Sequence, residues 1–217
     1  MIRLHHVTQT RSMRSLWLLH ELGIDFELVS YSFDAAIKSE AYLALNGAGR
    51  VPSLEIDGQV LFESGAIAEL LCERFSPDGL GRRPDHPERV AWLNWIHFAE
   101  TISQHVAALT QQHIMLFEDH MRSPTVMKLE AKRLGKTFGV LDAALSGRDW
   151  LLDGFSAADI GTAQAVYMGA HFVDRAPYPA LSAWYDRCAA RPAFAKSLTD
   201  GPGLYAKPFY APWTEPV

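Results

Sequence analysis

The chain has 217 residues, of which 48% are apolar and 21% charged, with a formal net charge of -5 at pH 7; that length suffices for one large domain or two small ones with cores of their own. The acidic balance leaves no cationic excess to neutralise phosphates, which excludes nucleic acid as an expected partner. No apolar run approaches the length of a membrane span, and Arg3, His5, His6 and Arg11 interrupt the region where a secretory signal would carry its apolar stretch, so no membrane contact and a cytoplasmic location are expected.

The first ~80 residues read as an alternating α/β unit. Ile2 to His6 is a short strand, and Ser12 to Leu22 carries Leu16, Trp17, Leu19 and Leu22 at helical spacing, with Gly23 as its stop. Phe26 to Val29 is a second strand, and Ser39 to Leu45 a short helix ended by Asn46-Gly47. Two short strands joined by Asp57-Gly58, a pair suited to a tight hairpin, then lead into a helix from Ser64 to about Phe75. The breaker-rich stretch from Ser76 to Pro84 marks a boundary. We divide the chain into a domain over 1–79, a linker over 80–86 and a second domain over 87–217.

Beyond the linker every pattern is helical. Asp85 is expected to cap a helix with Pro87 in its first turn, running through Trp92, Trp95, Ile96 and Phe98 to about Phe117, and Ser123-Pro124 opens another that ends near Leu145. Ser156 with Asp159 three residues on reads as a capping box, flanked by Phe155 and Ile160; its role is stability. Pro179 and Pro192 suit the first turns of two short helices, and the proline-rich, aromatic tail from Gly201 is expected to run extended and pack back on the protein. Cys72 and Cys188 are expected to be plain buried thiols, and His97, His105 and His113, eight residues apart, lack the closer partners a metal site needs.

The segment from Gly49 to Ser64 is the richest in chemistry. Pro52 biases Val51 to an extended backbone, whose amide and carbonyl can pair with a peptide ligand as a strand does. Glu63 can hold an ammonium, and Ser64 stands where a helix N-terminus offers amide donors to a carboxylate. A small peptide with an amino acid head group and a thiol fits that set.

Three separated pieces, Arg11 to Gly23, Val51-Pro52 to Glu63-Ser64, and Trp150 to Ile160, together resemble the cytosolic glutathione S-transferase family over nearly the whole length. The resemblance implies a thioredoxin-like, glutathione-binding α/β domain followed by an all-α domain, an electrophile pocket between them, and a homodimer. It implies that Val51 pairs with the cysteinyl part of glutathione beside a cis Pro52, that Glu63 and Ser64 bind the γ-glutamyl amine and carboxylate, and that Lys38, with Arg50 assisting, reaches the glycyl carboxylate. Glutathione is then the co-substrate and no metal is needed.

Such chemistry depends on ionising a thiol whose pKa is ordinarily about 8.5. Lowering it by about two units takes roughly 2.7 kcal/mol of selective interaction with the anion, the scale of one or two good hydrogen bonds to charged sulfur. In this family the donor comes from the loop after the first strand, and here Val7 to Arg14 offers neither Tyr nor Cys. The resemblance therefore points to a hydroxyl class, as in some bacterial relatives. Thr10 falls where Ser-type relatives place their catalytic serine, and Ser12 is the competing donor, its other reading being a plain N-cap. Arg11 either adds positive potential or is solvated. Tyr167, His171, Tyr210, Trp213 and some of the three histidines of the long helix are candidates for the pocket of an apolar electrophile. Two other activities remain open on the sequence: a glutathione-dependent disulfide or peroxide reductase, and a non-catalytic glutathione-binding protein.

Overall fold

A computed structural model of the protein describes residues 1–32, 35–199, 204, 205 and 209. Strand β1 (Ile2–Val7) leads into helix α1 (Ser12–Leu22), followed by β2 (Glu27–Tyr31), α2 (Glu40–Leu45), β3 (Ser53–Ile56), β4 (Gln59–Phe62) and α3 (Ser64–Phe75). The sheet order is β2-β1-β3-β4: β1 lies parallel to β2, and the β3–β4 hairpin joins β1 antiparallel, with Leu28, Leu4 and Leu54 in register. This is the thioredoxin-like order expected from the sequence. Asp57 and Gly58 adopt φ of 53° and 75°, the left-handed pair that a two-residue hairpin of this twist requires. Gly23 closes α1 in the same region, at φ 64°.

Alternation along β1 divides its contacts. Leu4 joins the main core with α1, while Val7 forms a small second core with Ile37 and Tyr42 beneath α2. Among the described residues the remaining elements are helices: α4 (Arg89–Thr110), α5 (Pro124–Leu145), α6 (Ala157–Gly169), α7 (Pro179–Ala189) and α8 (Pro192–Ser197). Helix α6 is buried on every side, with eleven of its thirteen residues inside, as a helix packed on α4, α7, α1 and α3 must be. The main core is continuous, running from Leu4, Trp17 and Leu71 through Trp92 and Ile102 to Phe138 and Trp184.

Two helix boundaries differ from the sequence reading. Asp85 does not cap α4, which starts at Arg89 after a turn stabilised by Glu88 N–H donating to His86 Nδ1 at 3.0 Å. Arg82, buried, holds the Glu88 carboxylate at 2.9 Å and the carbonyls of Gly79 and Gly81 at 2.8 Å, and the Asp153 amide donates to Glu88 at 3.0 Å, so a buried arginine and one long-range bond fix the start of α4. At its other end α4 passes into a π turn over Gln111–Met115 in place of a regular helix to Phe117. Ser123, Pro179 and Pro192 open helices as expected.

The capping box at α6 is complete: Asp159 accepts the Ser156 amide at 2.9 Å, and Ser156 Oγ accepts the Ala158 amide. Fully buried Asp159 also accepts from the Leu151 amide at 3.0 Å and the Trp184 indole at 2.9 Å. Burial raises its pKa against the pull of these donors. Asp159→Ala strands three buried N–H groups and is expected to cost about 3 kcal/mol, lowering the thermal midpoint by roughly 6–12 °C; an unchanged calorimetric midpoint contradicts this.

Candidate active site

The loop after β1 carries the hydroxyls. Thr10 is half-buried, and its Oγ1 donates to the Val7 carbonyl at 2.8 Å and lies 2.8 Å from Ser12 Oγ. Ser12 is fully buried, and the N-cap position of α1 is Arg11, with no side-chain cap. Ser12 is thus not the N-cap its other reading made it: its Oγ accepts the Val7 amide at 3.1 Å and sits 2.8 Å from His6 Nδ1, bracing the loop from within. The loop is further fixed by Gln164 of α6, whose Nε2 donates to the Thr10 carbonyl at 3.1 Å.

The buried guanidinium of Arg14 joins this loop to α3 and to the helical domain. Its Nε donates to Gln164 Oε1 at 2.7 Å, one Nη to Ser64 Oγ at 3.2 Å and the other to the Ala99 carbonyl at 3.2 Å, with Glu100 and Ser103 completing the shell. Arg11 Nε lies 3.1 Å from the second Glu100 oxygen, an ion pair without hydrogen-bond alignment. Burial alone pushes the Glu100 carboxyl up, but Arg14 and Arg11 outweigh it and hold the group below its ordinary range. A cavity of about 20 Å³ adjoins this cluster, lined by Arg14, Ser15, Ser64 and Gly65. That is room for one water, and it faces the otherwise unpartnered hydroxyl of Ser15.

Glu63 and Ser64 stand at the start of α3. Glu63 is exposed and has φ 81°, a costly conformation for a residue with a side chain. It makes no side-chain cap bond, so capping does not explain it. The first turn of α3 has no acidic residue either, leaving its amides to an anion. Ser64, buried, is oriented by Arg14 and Glu100.

Val51 precedes a cis peptide bond to Pro52. Among the described residues none hydrogen-bonds to its amide or carbonyl, and the residue before it is anchored: the Arg50 carbonyl accepts from Tyr42 Oη at 2.6 Å and Asn46 Nδ2 at 2.9 Å. Lys38 ends a short 3-10 turn, and its side chain and that of Arg50 are exposed. The two segments touch, since a Cβ on Gly49 would lie 3.2 Å from the Ile37 carbonyl; with φ at 59°, glycine is needed there twice over.

Opposite the hydroxyl loop lies an aromatic wall. Gln9, at φ 54°, donates to Tyr167 Oη at 3.1 Å and accepts the Tyr205 amide at 3.1 Å. Tyr205 stacks on His171 with centroids 4.7 Å apart and meets Thr110 Oγ1 at 2.7 Å, while Phe209 packs between His113 and Phe172. These described tail residues pack back on the protein as expected. Tyr210 and Trp213 lie outside the described residues. His97 and His105 turn elsewhere, to Glu69 at 3.0 Å and Glu130 at 2.6 Å. Both cysteines are buried, and burial pushes the Cys72 thiol up to about 12 and raises that of Cys188.

Sequence reasoning thus named the residues with exposed chemistry and missed those that hold them. Arg14 stood in the first motif without a role, and its two neighbours at hydrogen-bond distance from the hydroxyl loop and α3, Gln164 and Glu100, carry no local signal on a buried helix and a long amphipathic one.

A thioredoxin-like sheet unit packed against a helical bundle, with a backbone at Val51 unpaired among the described residues, an α3 N-terminus without a side-chain cap, and a hydroxyl loop tied through Gln164 to the bundle, defines a thioredoxin-like plus all-helical protein. The families described as Glutathione S-transferase, N-terminal domain, and Glutathione S-transferase, C-terminal domain, match residues 1–73 and 107–192. The chain is 31% identical over 191 residues to Glutathione S-transferase 4 of Zea mays (84% of this chain, 85% of the relative). It is 27% identical over 205 residues to Glutathione S-transferase 3 of Schizosaccharomyces pombe (89% and 85%). A sphingomonad glutathione S-transferase solved in complex with glutathione superposes with a TM-score of 0.76 at 28% identity, covering 90% of this chain and 96% of that one. The chain belongs to the glutathione S-transferase family, an enzyme family whose co-substrate is glutathione.

Replacing Arg14 by Lys removes the planar fork that bonds Gln164, Ser64 and Ala99 at once. We expect a loss of about 2 kcal/mol, or roughly 4–8 °C in thermal midpoint, together with a raised KM for glutathione. A variant with wild-type midpoint and KM overturns the assignment of Arg14 as the tie between domains and site.

Proposed function

We propose that Thr10 donates the hydrogen bond that stabilises the glutathione thiolate, and that the enzyme transfers this thiolate to an apolar electrophile held against the wall of Tyr167, His171 and Tyr205. The observation that carries this reading is the contrast between the two hydroxyls: Ser12 is fully buried, whereas Thr10 is half-buried at the mouth of the loop. Turning its O–H from the Val7 carbonyl toward sulfur is a rotation about one bond. Glutathione binds with its γ-glutamyl carboxylate on Ser64 and the α3 amides, its ammonium on Glu63, its cysteinyl backbone on Val51 beside Pro52, and its glycyl carboxylate at Lys38 and Arg50. Domains over 1–79 and 87–217, joined by 80–86, contribute the two halves of the cleft, and the reaction is a cytoplasmic detoxification.

The reductase and pure-binder readings have no observation of their own in their favour. A thioether product, as opposed to oxidised glutathione, separates transfer from reduction. Thr10→Ala is expected to lower kcat by about 10- to 100-fold, the loss of thiolate that a shift of one to two pKa units produces, with KM for glutathione changed little. Glu63→Ala is expected to do mostly the reverse. Steady-state kinetics with a chromogenic aryl halide measure both, and a Thr10→Ala enzyme with wild-type kcat refutes the donor assignment.

The protein acts as a homodimer on this reading. Val60 and Phe62 on edge strand β4, Phe75 at the end of α3 and Val90 at the start of α4 are exposed apolar side chains on adjoining elements, a distribution that a partner subunit would cover. Sedimentation equilibrium is expected to give twice the 24.2 kDa chain mass; a monomer at micromolar concentration contradicts it.

A further inference from the structure

Thr10 does not stand alone. Its Oγ1 is 2.8 Å from Ser12 Oγ, which is 2.8 Å from His6 Nδ1; His6 Nε2 is 3.0 Å from Thr199 Oγ1, and Thr199 Oγ1 is 2.8 Å from Thr8 Oγ1. Five side chains from β1, the hydroxyl loop, α1 and the segment after α8 form one hydrogen-bonded chain ending at the mouth of the cleft. His6 is its only ring, is fully buried, and takes no part in the reaction as described so far.

We infer that His6 is a positioning residue for thiolate stabilisation, its Nδ1–H donating to Ser12 so that the Ser12 hydrogen is directed onto Thr10 Oγ1 and the Thr10 hydrogen onto sulfur. The inference rests on Thr10 being the thiolate donor. Hydroxyl arithmetic fixes the direction. Ser12 has one hydrogen and three acceptors within reach: Thr10 Oγ1 at 2.8 Å, the Val7 carbonyl at 3.2 Å and His6 Nδ1 at 2.8 Å. If Nδ1 is the bare nitrogen it captures that hydrogen, and Thr10 Oγ1 keeps only the Ser12 amide, at 3.3 Å, as an inward donor. If Nδ1 carries the hydrogen, Ser12 accepts from it and from the Val7 amide, and gives to Thr10. Nε2 then accepts from Thr199, and Thr199 from Thr8. Every donor in the chain then points toward the sulfur, and each bond polarises the next.

The charge state of His6 agrees with this role. Burial brings its pKa down to about 4, with only the Ser12 bond opposing it, so the ring is neutral near pH 7 and holds a single N–H whose position the neighbours decide. No charged group contributes to that shift; the charged groups of the neighbouring cluster, Arg11, Arg14 and Glu100, pair with one another. No proton travels along the chain, and the thiol proton leaves to solvent.

The test is the ultraviolet titration of the thiolate of bound glutathione in the wild type and in His6→Leu, His6→Asn and Thr10→Ala. His6→Leu is expected to raise the bound thiol pKa by about one unit, tenfold less thiolate at a pH below it, with glutathione affinity within about twofold. His6→Asn places an amide N–H near the Nδ1 position and is expected to restore the value. Thr10→Ala combined with His6→Leu is expected to shift the pKa no further than Thr10→Ala alone, because both act through one bond. A shift in Thr10→Ala with none in His6→Leu refutes this inference and leaves the Thr10 assignment standing; no shift in either refutes both. Should His6→Leu not fold, the ring nitrogen shifts of His6 in the wild-type protein decide: an Nδ1–H tautomer is expected, and an Nε2–H tautomer overturns the inference.

Discussion

The buried guanidinium of Arg14 is the constraint on which the site depends. A charge removed from water must be surrounded by acceptors or it destabilises the fold, and no single element supplies enough of them. Arg14 therefore collects Gln164 from α6, Ser64 from α3, and the Ala99 carbonyl, Glu100 and Ser103 from α4. Satisfying one side chain thus fixes the spacing of α3, α4, α6 and the hydroxyl loop, the elements proposed to hold glutathione. Gln164 passes the same constraint to the hydroxyl loop through the Thr10 carbonyl. The continuous core drives the two domains together, and the Arg14 cluster sets their register, since apolar packing is non-directional and a five-donor fork is not.

On this frame the cleft has a division of labour. The end proposed to hold an anion is a helix N-terminus without a side-chain cap and a buried serine; the end proposed to react is a hydroxyl bonded to Ser12 and the Val7 carbonyl. Glu100 pairs with both nearby arginines, so the cluster keeps one net positive charge. On the proposed reading, directed hydrogen bonds add to that charge in stabilising a thiolate, and for that reason the orientation of the Ser12 and Thr10 hydroxyls matters. The opposite wall is aromatic and partly made by the tail, with Tyr205 bound to Gln9 one residue before Thr10.

Elements with local signals were legible in the sequence. Helix α1 with its Gly23 stop, the Asp57-Gly58 hairpin, α3 from Ser64 to Phe75 and the Ser156–Asp159 box all rest on contacts within a few residues, and the structure has them as read. The start of α4 differs from the local reading because Asp85 and Pro87, sound local signals, are overruled at Glu88 by buried Arg82 nearby and by the Asp153 amide from far along the chain. Ser12 lies one residue past the N-cap position, which Arg11 holds, and His6 and the Val7 amide claim its oxygen. Thr10, Lys38, Val51 and Glu63, the proposed site residues that are half-buried or exposed, can be named from the motifs. Glu100 and Gln164 cannot, because a polar residue in a long helix looks the same whether it faces solvent or a buried arginine from another domain.

A crystal structure of the protein with glutathione bound tests the account most directly. The account predicts the γ-glutamyl carboxylate on Ser64 and the first amides of α3, the cysteinyl backbone paired with Val51, and the sulfur within hydrogen-bonding reach of Thr10 Oγ1, with the Ser12 hydroxyl still sealed behind it. A sulfur out of reach of Thr10, or bonded to Ser12 or Arg11 in its place, would contradict it.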